Sequence, residues 1–148
     1  MKSRLLPPTY FLVFLLLSVA LHFIIPIKKI IYSPYTYVGI ALVAVGMVLN
    51  LWSDSLFKKR KTTVKPYELP GELLTSGPFR ISRHPMYLGM AAILLGVAIL
   101  LGTVITFVLP ALFAILMEIT FIPFEEKNLE EVFGEQYLAY RKRVRRWI

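Results

Sequence analysis

From Met86 to Phe124 the chain runs for 39 residues with one charge, Glu118. As a helix rising about 1.5 Å per residue, this stretch would measure roughly 58 Å, about twice the ~30 Å hydrocarbon core of a bilayer. It must therefore cross twice. Leu101-Gly102-Thr103 near its middle offers the turn, with Gly102 supplying the backbone freedom. Two shorter uncharged stretches, Tyr10 to Ile27 and Tyr35 to Ser53, each have the length of one crossing. The sequence thus predicts an all-α membrane protein with four transmembrane helices over about 10–27, 35–53, 86–101 and 103–124, in a single domain over 1–148. Pro110 falls inside the fourth span and is expected to kink it.

The basic residues test that count independently. With four spans, 15 of the 17 Lys and Arg residues fall on one side: Lys2 and Arg4 before the first span, seven between the second and third, and six in the tail. Only Lys28 and Lys29 fall on the other. By the positive-inside rule, the central loop and both termini are cytoplasmic. The net charge of +8 follows from this topology and from anionic headgroups, so the bilayer, and not nucleic acid, is the expected partner. The charged fraction of 18% is also low for a soluble domain. No cysteine is present, which removes disulfides, thiolate metal sites and cysteine nucleophiles; His22 and His84 stand too far apart to suggest a metal site. Lys2, Arg4, the apolar run and Ser18-Val19-Ala20 can be read as a cleaved signal peptide. The run continues through Phe23, Ile24 and Ile25, which favours a retained helix.

Two polar segments remain. Asp54–Pro85 holds Pro66, Pro70, Pro78 and Pro85 with Gly71 and Gly77, a density that excludes a long helix. It reads as an ordered cytoplasmic loop anchored by Tyr67, Leu69, Leu73, Leu74, Phe79 and Ile81, and loops of this length are usually functional. In the second segment Leu129, Val132, Phe133, Tyr137 and Tyr140 recur at helical spacing. They predict a C-terminal amphipathic helix over about 125–141, with Glu125 and Glu126 in its first turn and Arg141 to Arg143 in its last.

Three features stand out against this frame. Arg83-His84-Pro85-Met86-Tyr87 lies at the mouth of the third span, where Pro85 pushes His84 out of α geometry and presents its ring to a ligand. The plainer reading is an interfacial belt of Arg, His and Tyr. Glu125-Glu126, at the end of the fourth span, comes to the same face through the short turn, or simply caps a helix. Glu118 is costly within a membrane unless paired, so it is either functional or bonded to a neighbouring helix near Asn50 or His22. Gly89, Ala92 and Gly96 mark a close helix–helix approach that needs no ligand.

These motifs together resemble the family of integral-membrane methyltransferases that contains isoprenylcysteine carboxyl methyltransferase and its prokaryotic relatives, with the phospholipid methyltransferases sharing part of the pattern. The similar stretches are Leu73-Leu74-Thr75-Ser76-Gly77-Pro78-Phe79-Arg80 and Ser82-Arg83-His84-Pro85-Met86-Tyr87-Leu88-Gly89. After two spans follow Glu125-Glu126, Leu129, Phe133-Gly134, Tyr137, Tyr140 and Arg145-Arg146-Trp147, and Thr62-Thr63-Val64-Lys65-Pro66 lies upstream. The resemblance covers roughly the C-terminal 90 residues.

The resemblance implies S-adenosylmethionine as methyl donor, in a pocket roofed by the loop and the C-terminal helix. By position, Gly71, Glu72, Leu73, Leu74 and Phe79 would line the cofactor, with Arg83, His84, Pro85, Met86 and Tyr87 touching it from the third span. Glu125 would hold one of its polar groups, supported by Glu126. Methyl transfer is an in-line displacement in which alignment and desolvation do most of the work, so no residue is assigned as nucleophile or other catalytic group. The acceptor would be a lipophilic molecule in the membrane, a carboxylate such as prenylcysteine or a lipid amine or hydroxyl. Many members carry an arginine just before the acidic pair, suited to a carboxylate. Ile119-Thr120-Phe121-Ile122-Pro123-Phe124 has no cation, which leans toward another lipophilic acceptor. Two other classes remain open: a non-catalytic membrane scaffold or partner subunit, and a sterol-type reductase using a nicotinamide cofactor.

Overall fold

The computed structural model describes residues 5–25 and 27–148, so Lys2, Arg4 and Pro26 lie outside the described residues. Every regular element among these is helical, and the one β-type pairing is an isolated bridge between Lys29 and Thr103. Helix α1 spans Pro7–Ile24, and its opening prolines sit where a missing N–H costs nothing. A 3₁₀ turn, Tyr35–Tyr37, leads into α2, Val38–Lys59. Helix α3, Pro85–Leu101, opens on a proline and stops at Gly102, whose φ of +70° places it in the left-handed region. A Cβ at Gly102 would run into the Ile31 carbonyl, so the turn needs both the glycine's dihedral freedom and its small size.

Helix α4, Val104–Leu116, runs through Pro110 without a break. A π-helical turn, Met117–Phe121, carries it into α5, Ile122–Phe133. Pro123 enters just where that turn has already shifted the i→i−4 ladder, so its missing N–H is tolerated. The expected single C-terminal helix over 125–141 is not found. It is cut at Gly134 (φ +47°, ψ −122°), and α6, Glu135–Arg143, leaves in a new direction. Helical periodicity could not register this break, because Leu129 and Phe133 before it and Tyr137 and Tyr140 after it pack into the same cluster. Val132, counted on the apolar face, is exposed.

Among the described residues, three helical runs are long and apolar enough to cross a membrane: Pro7–Ile24, Tyr35–Lys59 and Val104–Phe133; α3 is a shorter apolar helix. The chain is a multi-pass membrane protein. With 17 residues, α3 measures about 26 Å, at the lower limit for a crossing. The 30-residue run from Val104 measures about 45 Å, so its last third, which carries Glu125 and Glu126, extends beyond a ~30 Å core.

The tightest packing joins α2 to α3 in antiparallel array. Gly39 lies against Gly96, and Gly46 against Gly89, each pair meeting backbone to backbone. A Cβ on Gly96 would sit 2.6 Å from the Gly39 carbonyl oxygen, which leaves room for no side chain. On its other side α3 packs with α4 and α1 around Met90, Leu94, Phe113, Met117 and Ile122, with Tyr10, Phe11 and Phe14 of α1 closing the cluster. The outward faces of α1 and α2 expose Leu12, Leu16, Phe23, Ile40, Val48 and Leu51, as lipid-facing helices do.

The two ends of the bundle differ. At one, the segment after α1 pairs with the α3–α4 turn: the Ile30 N–H donates to the Gly102 carbonyl at 2.7 Å, and the Val104 N–H to that of Lys28 at 3.3 Å. At the other end, the loop between α2 and α3 packs against α6, with Leu73, Leu74 and Phe79 buried on Tyr137 and Tyr140. The Tyr140 hydroxyl donates to the Phe79 carbonyl at 2.7 Å, which ties loop and helix together. The helix break at Gly134 thus serves the loop end, since it turns both tyrosines down onto it.

Candidate functional site

His84 is the pivot. Pro85 at the first position of α3 keeps His84 out of the α region (φ −126°, ψ 60°), so the chain arrives at α3 sideways and the ring turns inward. The His84 N–H is satisfied by Ser82 Oγ at 3.1 Å, and the residue is 5% exposed. Its Nδ1 lies 3.0 Å from Glu125 Oε2 and its Nε2 3.4 Å from Glu126 Oε1. A carboxylate on each ring nitrogen favours the imidazolium, which donates to both. Burial alone would lower the pKa of His84, but the bonds to Glu125 and Glu126 outweigh it and raise it above the ordinary value.

Glu125 and Glu126 differ in environment although adjacent. Glu125 also accepts from the Tyr87 hydroxyl at 2.5 Å and remains partly exposed. Glu126 is buried and ringed by cations: Arg83 Nη2 lies 3.0 Å from Oε1, while Arg146 places Nε 3.0 Å from Oε1 and Nη2 2.7 Å from Oε2. Burial works against its charge, but His84, Arg146 and Arg83 hold its carboxyl down to about 2. Arg83 also donates to the Tyr137 hydroxyl at 3.3 Å. Burial and the charge of Glu126 push that phenol up to about 12, so it keeps its proton.

Glu118 meets neither Asn50 nor His22. Arg146 pairs with its Oε1, and the Trp147 indole N–H donates to its Oε2 at 2.9 Å. His22 instead lies 3.3 Å from Thr103 Oγ1 at the far end of the bundle. The partner of Glu118 comes from the tail, 28 residues on, which helix spacing alone could not indicate.

Two clefts open beside His84. The first, about 610 Å³, lies between the α2–α3 loop and the α5–α6 corner. Its apolar wall includes Phe57, Leu73, Leu74, Phe79 and Leu129, and its polar groups include Lys65 with its ion-pair partner Glu68, Glu72, Arg83, His84, Glu125 and Asn128. The second, about 600 Å³, lies between the start of α1 (Leu6, Pro7, Pro8) and the start of α3 (Pro85, Met86, Tyr87, Met90). Phe57, Val64, Lys65, Pro66, Phe79, Arg83, His84 and Glu125 line both.

Of the expected cofactor contacts, Glu72, Leu73, Leu74, Phe79, Arg83, His84 and Glu125 gather on the first cleft. Pro85, Met86 and Tyr87 face only the second. Gly71 lines neither, its N–H being bonded to Thr62 Oγ1 at 3.0 Å on the outer face of the loop. Glu126 also lines neither and stands behind His84 as a supporting group. Residues the sequence reading left without a role complete the site: Phe57 at the end of α2, Asn128, which donates to the Pro66 carbonyl at 3.1 Å, and Tyr140. For Tyr140 the apolar stripe was the signal, but the stripe could not say what it would face.

The sequence profile of the phospholipid methyltransferase family matches residues 35–136, more than half of the chain. The chain belongs to that family. Its curated relatives include a probable protein-S-isoprenylcysteine O-methyltransferase of Oryza sativa subsp. indica, 30% identical over 111 residues, which are 74% of this chain and 58% of the rice protein. Protein-S-isoprenylcysteine O-methyltransferase B of Arabidopsis thaliana is 34% identical over 73 residues, covering 49% and 37% of the two chains. The A form from the same plant is 35% identical over 78 residues, covering 53% and 40%. The chain thus spans less than two thirds of the length of these relatives. No solved structure matches it significantly.

Proposed function

We propose that the protein is an S-adenosylmethionine-dependent methyltransferase acting on a lipophilic acceptor held in the membrane. The observation that carries this reading is the meeting of two clefts at one wall, His84–Glu125: a polar-mouthed one under the loop and an apolar one at the starts of α1 and α3. Family membership and the names of the relatives support the same chemistry. When bound, S-adenosylmethionine supplies a methyl group made electrophilic by its sulfonium.

The first cleft suits such a donor. It offers apolar walls for a base, the carboxylates Glu72 and Glu125 for an ammonium or ribose hydroxyls, and cations for a carboxylate. Tyr87 and His84 fix the Glu125 carboxylate from two directions, which orients its remaining lone pairs toward the cleft. Leu73, Leu74 and Phe79 exclude water there. As an imidazolium, His84 holds its protons on Glu125 and Glu126 and serves as an electrostatic anchor, not as a base.

The second cleft suits an apolar chain reaching in from the bilayer, with its head at His84 and Glu125. Lys65 and Arg83 line both clefts but already pair with Glu68 and Glu126, and no cation precedes the acidic pair, so a lipophilic acceptor other than a carboxylate is favoured. In this reading all four helical runs cross the bilayer within one domain, and the loop, the site and both ends of the chain face the cytoplasm.

Calorimetric titration of the detergent-purified protein with S-adenosylmethionine, beside Glu125→Ala and His84→Ala, tests the proposal. Saturable binding by the wild type, lost in both variants, is expected. A folded wild type that binds nothing refutes it. Titration with a nicotinamide cofactor in its place would expose the reductase alternative.

A further inference from the structure

The tail after α6 is bonded to both the backbone and the carboxylates around His84. The Arg83 N–H donates to the Arg145 carbonyl at 3.0 Å, and Ser82 Oγ donates to that of Arg146 at 2.8 Å. Ser82 Oγ in turn accepts the His84 N–H. The Arg146 side chain then grips both oxygens of Glu126, the carboxylate beneath His84 Nε2. Its third nitrogen bonds Glu118, whose other oxygen takes the Trp147 indole N–H. None of these tail residues lines either cleft.

The π turn makes this bridge possible. Glu118 and Glu126 are eight positions apart, and in an unbroken α-helix they would point about 80° apart around the axis. One extra residue in the π turn makes the separation behave as seven, within roughly 20° of alignment. Both carboxylates therefore face the same guanidinium, whose planar fork has enough donors to hold both.

We infer that Arg146, anchored by Glu118 across the π turn, is a positioning residue that holds Glu126 and the Ser82–Arg83 backbone so that His84 faces the donor cleft. The inference rests on the proposed donor site for its consequence, but not for its geometry. Charge balance accords with it: three carboxylates (Glu118, Glu125, Glu126) meet two guanidiniums (Arg83, Arg146) and the His84 ring. Arg146 is what joins the membrane-side carboxylate to the site.

The test compares wild type with Arg146→Ala, Arg146→Lys, Glu118→Gln and the control Arg145→Ala, which alters an exposed side chain while leaving its backbone carbonyl. Nitrogen-15 NMR of the histidine rings is recorded on donor-free protein in micelles, followed by titration with S-adenosylmethionine. In Arg146→Ala the His84 Nε2–H is expected to lose its exchange protection while Nδ1–H, bonded to Glu125, keeps it. Donor affinity should fall about ten- to hundredfold, as when a group that orients a binding residue is removed. Arg146→Lys should restore part of both signals, Glu118→Gln should follow Arg146→Ala less strongly, and Arg145→Ala should be silent. Unchanged protection in Arg146→Ala overturns the inference. So does loss of both ring protons together with a general fall in thermal stability, because the strap would then be merely structural. Selective loss of Nε2–H in a protein whose wild type binds no donor would sink the donor-site reading and leave the strap standing.

Discussion

Glu126 sits where three cations converge, and replacing it with glutamine changes charge with almost no change in shape. Its carboxyl is held at about 2, well below the ordinary carboxylate range, because His84, Arg146 and Arg83 outweigh the cost of burial. At about 1.4 kcal/mol for each tenfold change in the proton equilibrium, the folded protein favours the charged form by about 3–4 kcal/mol. Removing one member of a buried ion cluster is expected to cost about the same, 3–5 kcal/mol, because Arg83 is left buried beside a neutral amide. Glu126→Gln should therefore lower the unfolding free energy by about 3 kcal/mol at neutral pH, measured by reversible unfolding in mixed micelles of rising SDS fraction. The pH dependence supplies a second check. A depressed carboxyl contributes its full stabilisation above 4.5 and loses it as pH falls toward about 2, so the gap between wild type and variant should close across that window. His84 has the opposite sign: its contribution is complete below about 6.5 and fades as pH rises through its higher folded value. A loss below about 1 kcal/mol at neutral pH, or a gap that stays constant between pH 4.5 and 2, would refute the reasoning.

Three other substitutions probe the frame around the site. Gly96→Ala puts a methyl 2.6 Å from the Gly39 carbonyl oxygen and must spread α2 from α3, with an expected loss of about 1–3 kcal/mol in the same unfolding assay. Gly134→Ala meets no atom within 4 Å, so its cost is the backbone strain at φ +47°, about 1–3 kcal/mol; a stabilised variant would mean that the α5–α6 break is not required. Tyr140→Phe removes the donor to the Phe79 carbonyl and should cost about 1 kcal/mol; limited proteolysis of the loop over 60–84 should then be faster than in wild type, and unchanged cleavage would count against the tether.

The helices were legible in the sequence because a bilayer imposes a length and an absence of charge, and both are one-dimensional properties. Met86–Phe124 had to turn at Gly102, and the left-handed glycine there, pressed against the Ile31 carbonyl, is the physical form of that requirement. The small residues of α3 announced a close neighbour for the same reason, although not which helix it would be. Leu73, Leu74, Phe79, Arg83, His84 and Glu125 could be nominated from motif and position, and they meet on one cleft. That Gly71 lines neither cleft was not legible in advance, because a glycine beside a functional segment serves a turn or a ligand equally well.

The remaining assignments depended on which groups meet across long separations. Glu118 pairs with Arg146 and Trp147 because a π turn rotates it beneath the tail, and no periodicity reports a one-residue shift in hydrogen bonding. Glu125 and Glu126 are identical neighbours in sequence. One faces two clefts, and the other is sealed among Arg83, Arg146 and His84, because adjacent positions on a helix point about 100° apart and the surroundings decide the rest. By itself, the sequence determined how many apolar runs the chain has, where their charged borders lie and which polar residues stand at those borders. The tertiary structure decided which of those residues meet, since a carboxylate's role is set by the cations and cavities that long-range packing brings within about 3 Å of it.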